Sequence, residues 1–118
     1  MNIKETGIIL FLGNYEENVH FYVEKLGLKI RERKEGLTKF EFGNSYLMVE
    51  NNGVLSKTEK NRSQNPTVIR IEVEDFDDSV KELIDRDVQV EVHRFDWGTI
   101  GVIIDPEGNR LELKNYVK

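Results

Sequence analysis

Two stretches, Gly7–Leu12 (GIILFL) and, 61 positions further on, residues 68–73 (VIRIEV), each open the same succession of elements, and this internal repeat constrains the fold more than any other feature of the chain. In the first copy, alternation puts Ile8, Leu10 and Leu12 on one face of a strand. Asn14 with Glu17 three residues later is a capping-box signature, so a helix is expected to follow. Val19, Tyr22, Val23 and Leu26 recur at helical spacing, and Gly27 is placed to stop the helix. Turns at Glu35-Gly36 and Gly43-Asn44-Ser45 then separate three further strands, over 28–34, 37–42 and 46–50.

The second copy repeats this order. Ile69, Ile71 and Val73 share one strand face, Asp75 caps with Asp78 three residues on, and Val80, Leu83 and Ile84 form the apolar stripe of a second helix. Val88, Val90 and Val92 make the next strand, residues 98–104 another, and Gly108-Asn109 opens the last as Gly43-Asn44 opened its counterpart. Identity between the halves is low, so the repeat rests on element order and turn positions. The expectation is an α+β chain of two βαβββ modules, about 5–50 and 67–116, forming a curved mixed sheet around a central cleft lined by the helix-free faces. The intervening 51–66 segment (NNGVLSKTEKNRSQNP is its extent) is polar and turn-rich, and reads as a linker or mobile loop.

Composition narrows the function classes. At 118 residues the chain holds one ordinary core or a pair of interlocked halves. The absence of cysteine excludes disulfides, thiolate chemistry and Cys-type zinc sites. A net charge of −5 argues against a nucleic-acid binder, for which a basic face is the expected footprint. No segment approaches the roughly 18 consecutive apolar residues of a membrane span. The N-terminal residues lack a basic region leading into an apolar stretch, so no signal peptide is read and a cytoplasmic location is expected.

Near the C-terminus, Asp105-Pro106-Glu107-Gly108-Asn109 reads as a tight turn, because Pro106 presets φ and Gly108 and Asn109 tolerate positive φ. Leu111 and Leu113 then share one strand face and Glu112 takes the other. Arg70 is an available partner on the strand opening the second copy, so Glu112 reads either as a ligand anchor or as half of an internal ion pair.

The stretches Leu10-Phe11-Leu12-Gly13-Asn14, Phe21-Tyr22 with Leu26-Gly27, Ile71-Glu72-Val73-Glu74-Asp75, and Trp97-Gly98-Thr99 through Leu113 resemble the vicinal oxygen chelate superfamily of glyoxalases, extradiol dioxygenases and fosfomycin- and bleomycin-resistance proteins. The resemblance covers nearly the whole chain except the linker. It implies a divalent metal held by four cleft-facing side chains, on the first and last strands of each module. The repeat places those positions at Gly7 and Val68 on the first strands, and alignment of the two Gly-Asn turns pairs Leu47 with Glu112. Glycine, leucine and valine carry no donor, so neither a metal nor another cofactor is expected. A slip by one would bring in Ile8 or Ile69, equally apolar, whereas Glu50 would need a bulge to reach the same face.

The candidate ligand-binding residues are Glu112, Arg70, Trp97, Phe11, Leu47 and Val68. Trp97, the single tryptophan, reads either as packing between modules or as an aromatic wall for a planar or cationic ligand. Phe11 and Ile9 are expected to face the cleft, with Leu47, Val49 and Val68 making one wall apolar. His20 reads as a solvated surface residue, and His93 as one near the cleft mouth; neither has a Ser or Cys nucleophile in a relay. The reading is a metal-independent protein that binds a small organic molecule, with antibiotic sequestration as one use, and the resemblance implies a homodimer. An alternative is a metal-dependent lyase or dioxygenase of the same superfamily using Glu50, His93 and Glu112; another is a non-catalytic regulatory or interaction domain.

Overall fold

The structure, a computed structural model, describes residues 1–117 and divides into two compact units, Met1–Leu55 and Ser56–Lys118. In the first unit the elements run β1 (Gly7–Leu12), α1 (Tyr15–His20) continued by a π-helical turn (Phe21–Lys25), β2 (Ile30–Lys34), β3 (Leu37–Phe42) and β4 (Ser45–Asn51). The second unit repeats them as β5 (Ile69–Val73), α2 (Phe76–Asp85), β6 (Glu91–Phe95), β7 (Gly98–Ile104) and β8 (Arg110–Asn115). Each unit holds one four-stranded mixed sheet, ordered β1-β4-β3-β2 and β5-β8-β7-β6. The first strand of each unit pairs in parallel with the last, which its helix makes possible as the crossover.

In the first unit α1 is too short to be stable alone, so packing holds it. Val19 is 3% exposed and Tyr22 is fully buried, with its ring 6.0 Å from that of Phe40 on β3. The Tyr15 hydroxyl bonds Thr38 Oγ1 at 2.5 Å, which fixes the Thr38 face of the sheet as the helix side. The π-helical turn adds a residue to the helical circuit. Phe21 is thereby buried beside Tyr22, edge-on at 5.2 Å, whereas Val23 and Leu26, expected on the stripe, are half-buried. Asn14 precedes the helix as anticipated, but its side-chain amide donates to the Glu17 carboxylate rather than accepting from a helix N–H. Gly27, with φ of 73°, ends the helix.

The second helix starts as its sequence suggests, with the Asp75 carboxylate accepting from Asp78 N at 3.0 Å. Leu83 is buried, but Ile84 is 56% exposed and lies off the packed stripe. Asp87 turns the chain through φ of 63°, and Val88 N then bonds Leu83 O at 2.9 Å. Val88 is therefore buried as part of the helix ending, and β6 begins only at Glu91. On the helix side of this sheet lie Ile69, Ile103, Leu111 and Leu113, all at most 5% exposed. Burying each such side chain contributes on the order of 1.5–3 kcal/mol.

The stretch after β4 has no regular strand or helix, yet its second half is tied to the second unit by polar contacts. Lys60 N donates to Gly108 O at 2.7 Å, and Asn65 Nδ2 donates to Asn109 Oδ1 at 3.0 Å. The turn it meets is buried: Asp105 Oδ1 accepts from Glu107 N at 2.9 Å and from Asn109 N at 2.8 Å. Gly108 takes φ of 85°, and Asn109 stays outside the left-handed region.

Candidate functional site

Which residues can meet a ligand depends on which sheet face they occupy. In the second unit a β-carbon on Gly101 would lie against Phe76 of α2, so Gly101 marks the helix side. Register pairs Gly101 with Leu113, and the next pair, Val102 with Glu112, falls on the opposite face. Arg70 pairs with Glu112 in parallel and shares that face. Arg70 Nη2 donates to Glu112 Oε1 at 2.7 Å, and its guanidinium stands 5.7 Å from the Trp97 ring centroid. Arg70, Glu112 and Trp97, singled out from sequence, thus come together. Ile100 and Val102 are buried on the same face, at 4% and 5% exposure.

Three participants were not anticipated. Arg110 Nε donates to the other carboxylate oxygen, Glu112 Oε2, at 3.0 Å. Arg110 sits two residues before Glu112, so strand periodicity alone places both on one face; that signal was available. Phe95 stacks on Trp97 with centroids 5.2 Å apart and planes 4° from parallel, and His93 continues the stack 6.2 Å from Phe95. Glu59, from the irregular segment, lies 3.5 Å from Arg110 and 3.4 Å from Arg62. No local pattern announces Glu59, because its approach is a matter of tertiary routing.

Glu112 is 9% exposed. Burial acts to raise its pKa, but the hydrogen bonds from Arg70 and Arg110 outweigh it and hold the carboxyl below the usual carboxylate range. At neutral pH both oxygens therefore belong to an ionised, doubly paired carboxylate.

The first unit corrects the expected wall. Leu47 and Val49 are fully buried, and register pairs Leu47 with Phe40 and Val49 with Thr38 on the helix side. Leu47 is core, not a ligand-facing residue. The two Gly-Asn turns are not equivalent: β3 and β4 are joined by the two residues Gly43-Asn44, whereas β7 and β8 are joined by the longer 105–109 turn. A one-residue slip moves a strand's side chains to the other face. Ile9 pairs with Met48 as Arg70 pairs with Glu112, so Met48 is the structural counterpart of Glu112.

Phe11 and Ile9 are on the face opposite α1, as expected, at 55% and 43% exposure. Gly7 pairs with Tyr46, and a β-carbon built on Gly7 would fall 2.1 Å from the Tyr46 ring. That ring is also flanked by Lys39 Nζ at 4.7 Å and the Arg31 guanidinium at 5.6 Å from its centroid. Val68 precedes the first paired residue of β5 and is half-buried.

This donor set does not fit a divalent cation. At the positions the resemblance assigns, Gly7 has its side-chain space filled by Tyr46, Met48 offers a thioether in place of leucine, and Glu112 is committed to two guanidiniums. Of the alternative set, His93 Nε2 lies 3.1 Å from Glu91, and Glu50 pairs with Phe11 in the first unit. Among the described residues no three His, Asp or Glu side chains group so as to hold a metal ion. Nor is any helix among them long and apolar enough to cross a membrane.

Comparison with known structures agrees with the two-module architecture. A glyoxalase family protein from Bacillus anthracis is similar, with a TM-score of 0.76 at 20% identity, covering 99% of this chain and 98% of that one. The bleomycin-binding protein of Streptomyces verticillus, complexed with copper(II)-bleomycin, gives 0.71 at 20% identity over 99% of each chain. Lactoylglutathione lyase from Agrobacterium tumefaciens gives 0.72 at 20% identity, over 93% of this chain and 91% of that one. At these identities the likeness speaks to the fold. Among curated proteins no sequence match is found. The family model for the glyoxalase/bleomycin resistance protein/dioxygenase superfamily matches residues 6–113, nearly the full length. The chain belongs to that superfamily.

Proposed function

We propose that this protein is a metal-independent member of the superfamily that binds a small organic molecule on the helix-free face of its second unit, without transforming it. The observation that carries the reading is the state of Glu112. The one carboxylate at the inferred ligand positions has each oxygen bonded to an arginine, and beside it stand Arg70 and the exposed Trp97. Buried apolar surface with a few convergent polar groups is the usual profile of a small-molecule site. The likeness to a bleomycin-binding protein supports sequestration as one use of such a site. The reading extends to a homodimer in the cytoplasm, with sedimentation velocity as the check on the dimer.

Equilibrium dialysis against nickel, zinc, manganese and iron, followed by elemental analysis, tests the metal-independent part. The expected result is no stoichiometric metal. Micromolar, stoichiometric uptake would instead favour a lyase or dioxygenase. A thermal-shift screen across drug-like cations, thiol conjugates and aromatic metabolites tests the binding part. A ligand at a hundred times its Kd adds about 2.7 kcal/mol of stability. Silence across the screen would favour a non-catalytic interaction domain.

A further inference from the structure

Resting on the binding reading above, we infer that the ligand is an aromatic anion: a planar ring bearing a carboxylate, with the carboxylate on Arg70 and the ring along Trp97 and Phe95. A guanidinium carries five N–H donors in a fixed fork. Arg70 spends Nη2 on Glu112, and among the described residues its Nε and Nη1 have no protein acceptor. Its side chain is 44% exposed, so those donors are within reach of a solute. The guanidinium is already oriented by the Glu112 bond and by the Trp97 face, and such preorganisation lowers the entropy lost when a carboxylate docks.

Local charge favours an anion. The connected series Arg62, Glu59, Arg110, Glu112 and Arg70 contains three guanidiniums against two carboxylates, an excess of positive charge in a chain whose formal charge is −5. A cationic ligand would meet this surplus, and both Glu112 oxygens already accept from arginine. The aromatic part follows from the rings. Phe95 and Trp97 are 49% and 58% exposed, nearly parallel and stacked, so together they offer aromatic surface beside Arg70 against which a planar ring can pack.

The single tryptophan gives one indole N–H resonance, so a two-dimensional 15N–1H spectrum of the full chain reads this site directly. Three probes of matched shape are titrated: 2-naphthoate, 2-naphthamide and 2-naphthylmethylammonium. The expected result is a saturable indole shift with naphthoate, about tenfold weaker or absent with the other two, as one charge-assisted bond implies. Arg70→Gln should weaken naphthoate about tenfold and leave naphthamide unchanged, and Arg70→Lys should recover only part, since it restores charge without the fork. Backbone amide dispersion in the same spectra verifies that each variant is folded; the probe ranking on the unaltered protein decides the matter in any case. Equal or tighter binding of the amide or the ammonium would overturn the anion assignment while leaving small-molecule binding intact. Failure of naphthoate together with a silent thermal-shift screen would overturn both.

Discussion

Arg70 and Glu112 face each other as a register pair on the parallel strands β5 and β8, joined by a 2.7 Å hydrogen bond, with Arg110 holding the second carboxylate oxygen. A carboxylate so placed serves the sheet and offers an oriented guanidinium to solvent at the same time. In Glu112→Gln the neutral amide can accept from one arginine only, leaving the other less well paired. The loss expected in urea unfolding at neutral pH is about 1–2 kcal/mol, in the range for a charge-assisted bond at a largely buried acceptor. No change in the unfolding midpoint would show that the pair does not stabilise the fold.

The depressed pKa of Glu112 fixes the sign of a pH effect. Its carboxylate contributes stability above the unfolded carboxyl value, about 4.3 for glutamate, and that contribution is lost as pH falls through the folded value. Melting temperature should therefore drop from pH 6 toward pH 3 in the parent chain. Glu5 and Glu41, both lowered by hydrogen bonds from Arg31, act in the same direction. The comparison that isolates Glu112 is the gap between parent and Glu112→Gln, which should narrow steadily below pH 5. A gap independent of pH would contradict the assignment.

The face assignment of β4 is tested by two neighbouring truncations. Leu47→Ala removes a fully buried side chain under the first helix and should cost about 2–5 kcal/mol. Met48→Ala, on the other face and half-buried, should cost clearly less. The reverse order in chemical denaturation would restore Leu47 to the ligand-facing side.

Gly7 has a steric reason to lack a side chain. Gly7→Ala forces the Tyr46 ring off its place between Lys39 and Arg31, and a cost of about 1–3 kcal/mol is expected for such overpacking. Gly7→Ala combined with Tyr46→Ala should recover part of that loss, because the obstructing ring is gone. Additive losses in the double variant would rule out the steric account.

Gly108 combines two constraints, a φ of 85° and a β-carbon position 2.3 Å from the Thr58 carbonyl oxygen. Backbone cannot yield as a side-chain tip can. Gly108→Ala should destabilise by about 2–4 kcal/mol and loosen the 58–60 segment, read as faster amide exchange at Lys60, whose N–H bonds Gly108 O. Unchanged protection at Lys60 would show that this contact does not hold the segment.

Element order, both helix starts and nearly every strand were legible in the sequence, because alternation, caps and glycine turns act over a few residues. That Arg70 and Glu112 were available to each other was legible for the same reason, since each residue's face follows from its own strand's period, whereas the bond between them is a finding of the structure. Leu47 was misplaced because a strand's face depends on the loop that delivers it, and two Gly-Asn turns of different length deliver β4 and β8 in different phase. Val23 and Ile84 were misplaced because a π-helical turn and the edge of a packed stripe are settled by what the helix lies against.

By itself, then, the order of residues determined the repeat, which rests on short-range periodicity, carried the motifs that resemble the superfamily, and put Arg70 and Glu112 on strands where they could pair. Only the tertiary structure decided that Arg110 completes the pairing of the Glu112 carboxylate, that Glu59 reaches Arg110 from the irregular segment, that Tyr46 fills the space above Gly7, and that Phe95 and Trp97 stack beside Arg70. Each of these depends on how separate strands are registered and where a long segment is routed, and side-chain contacts across strands follow from that geometry rather than from neighbours in sequence.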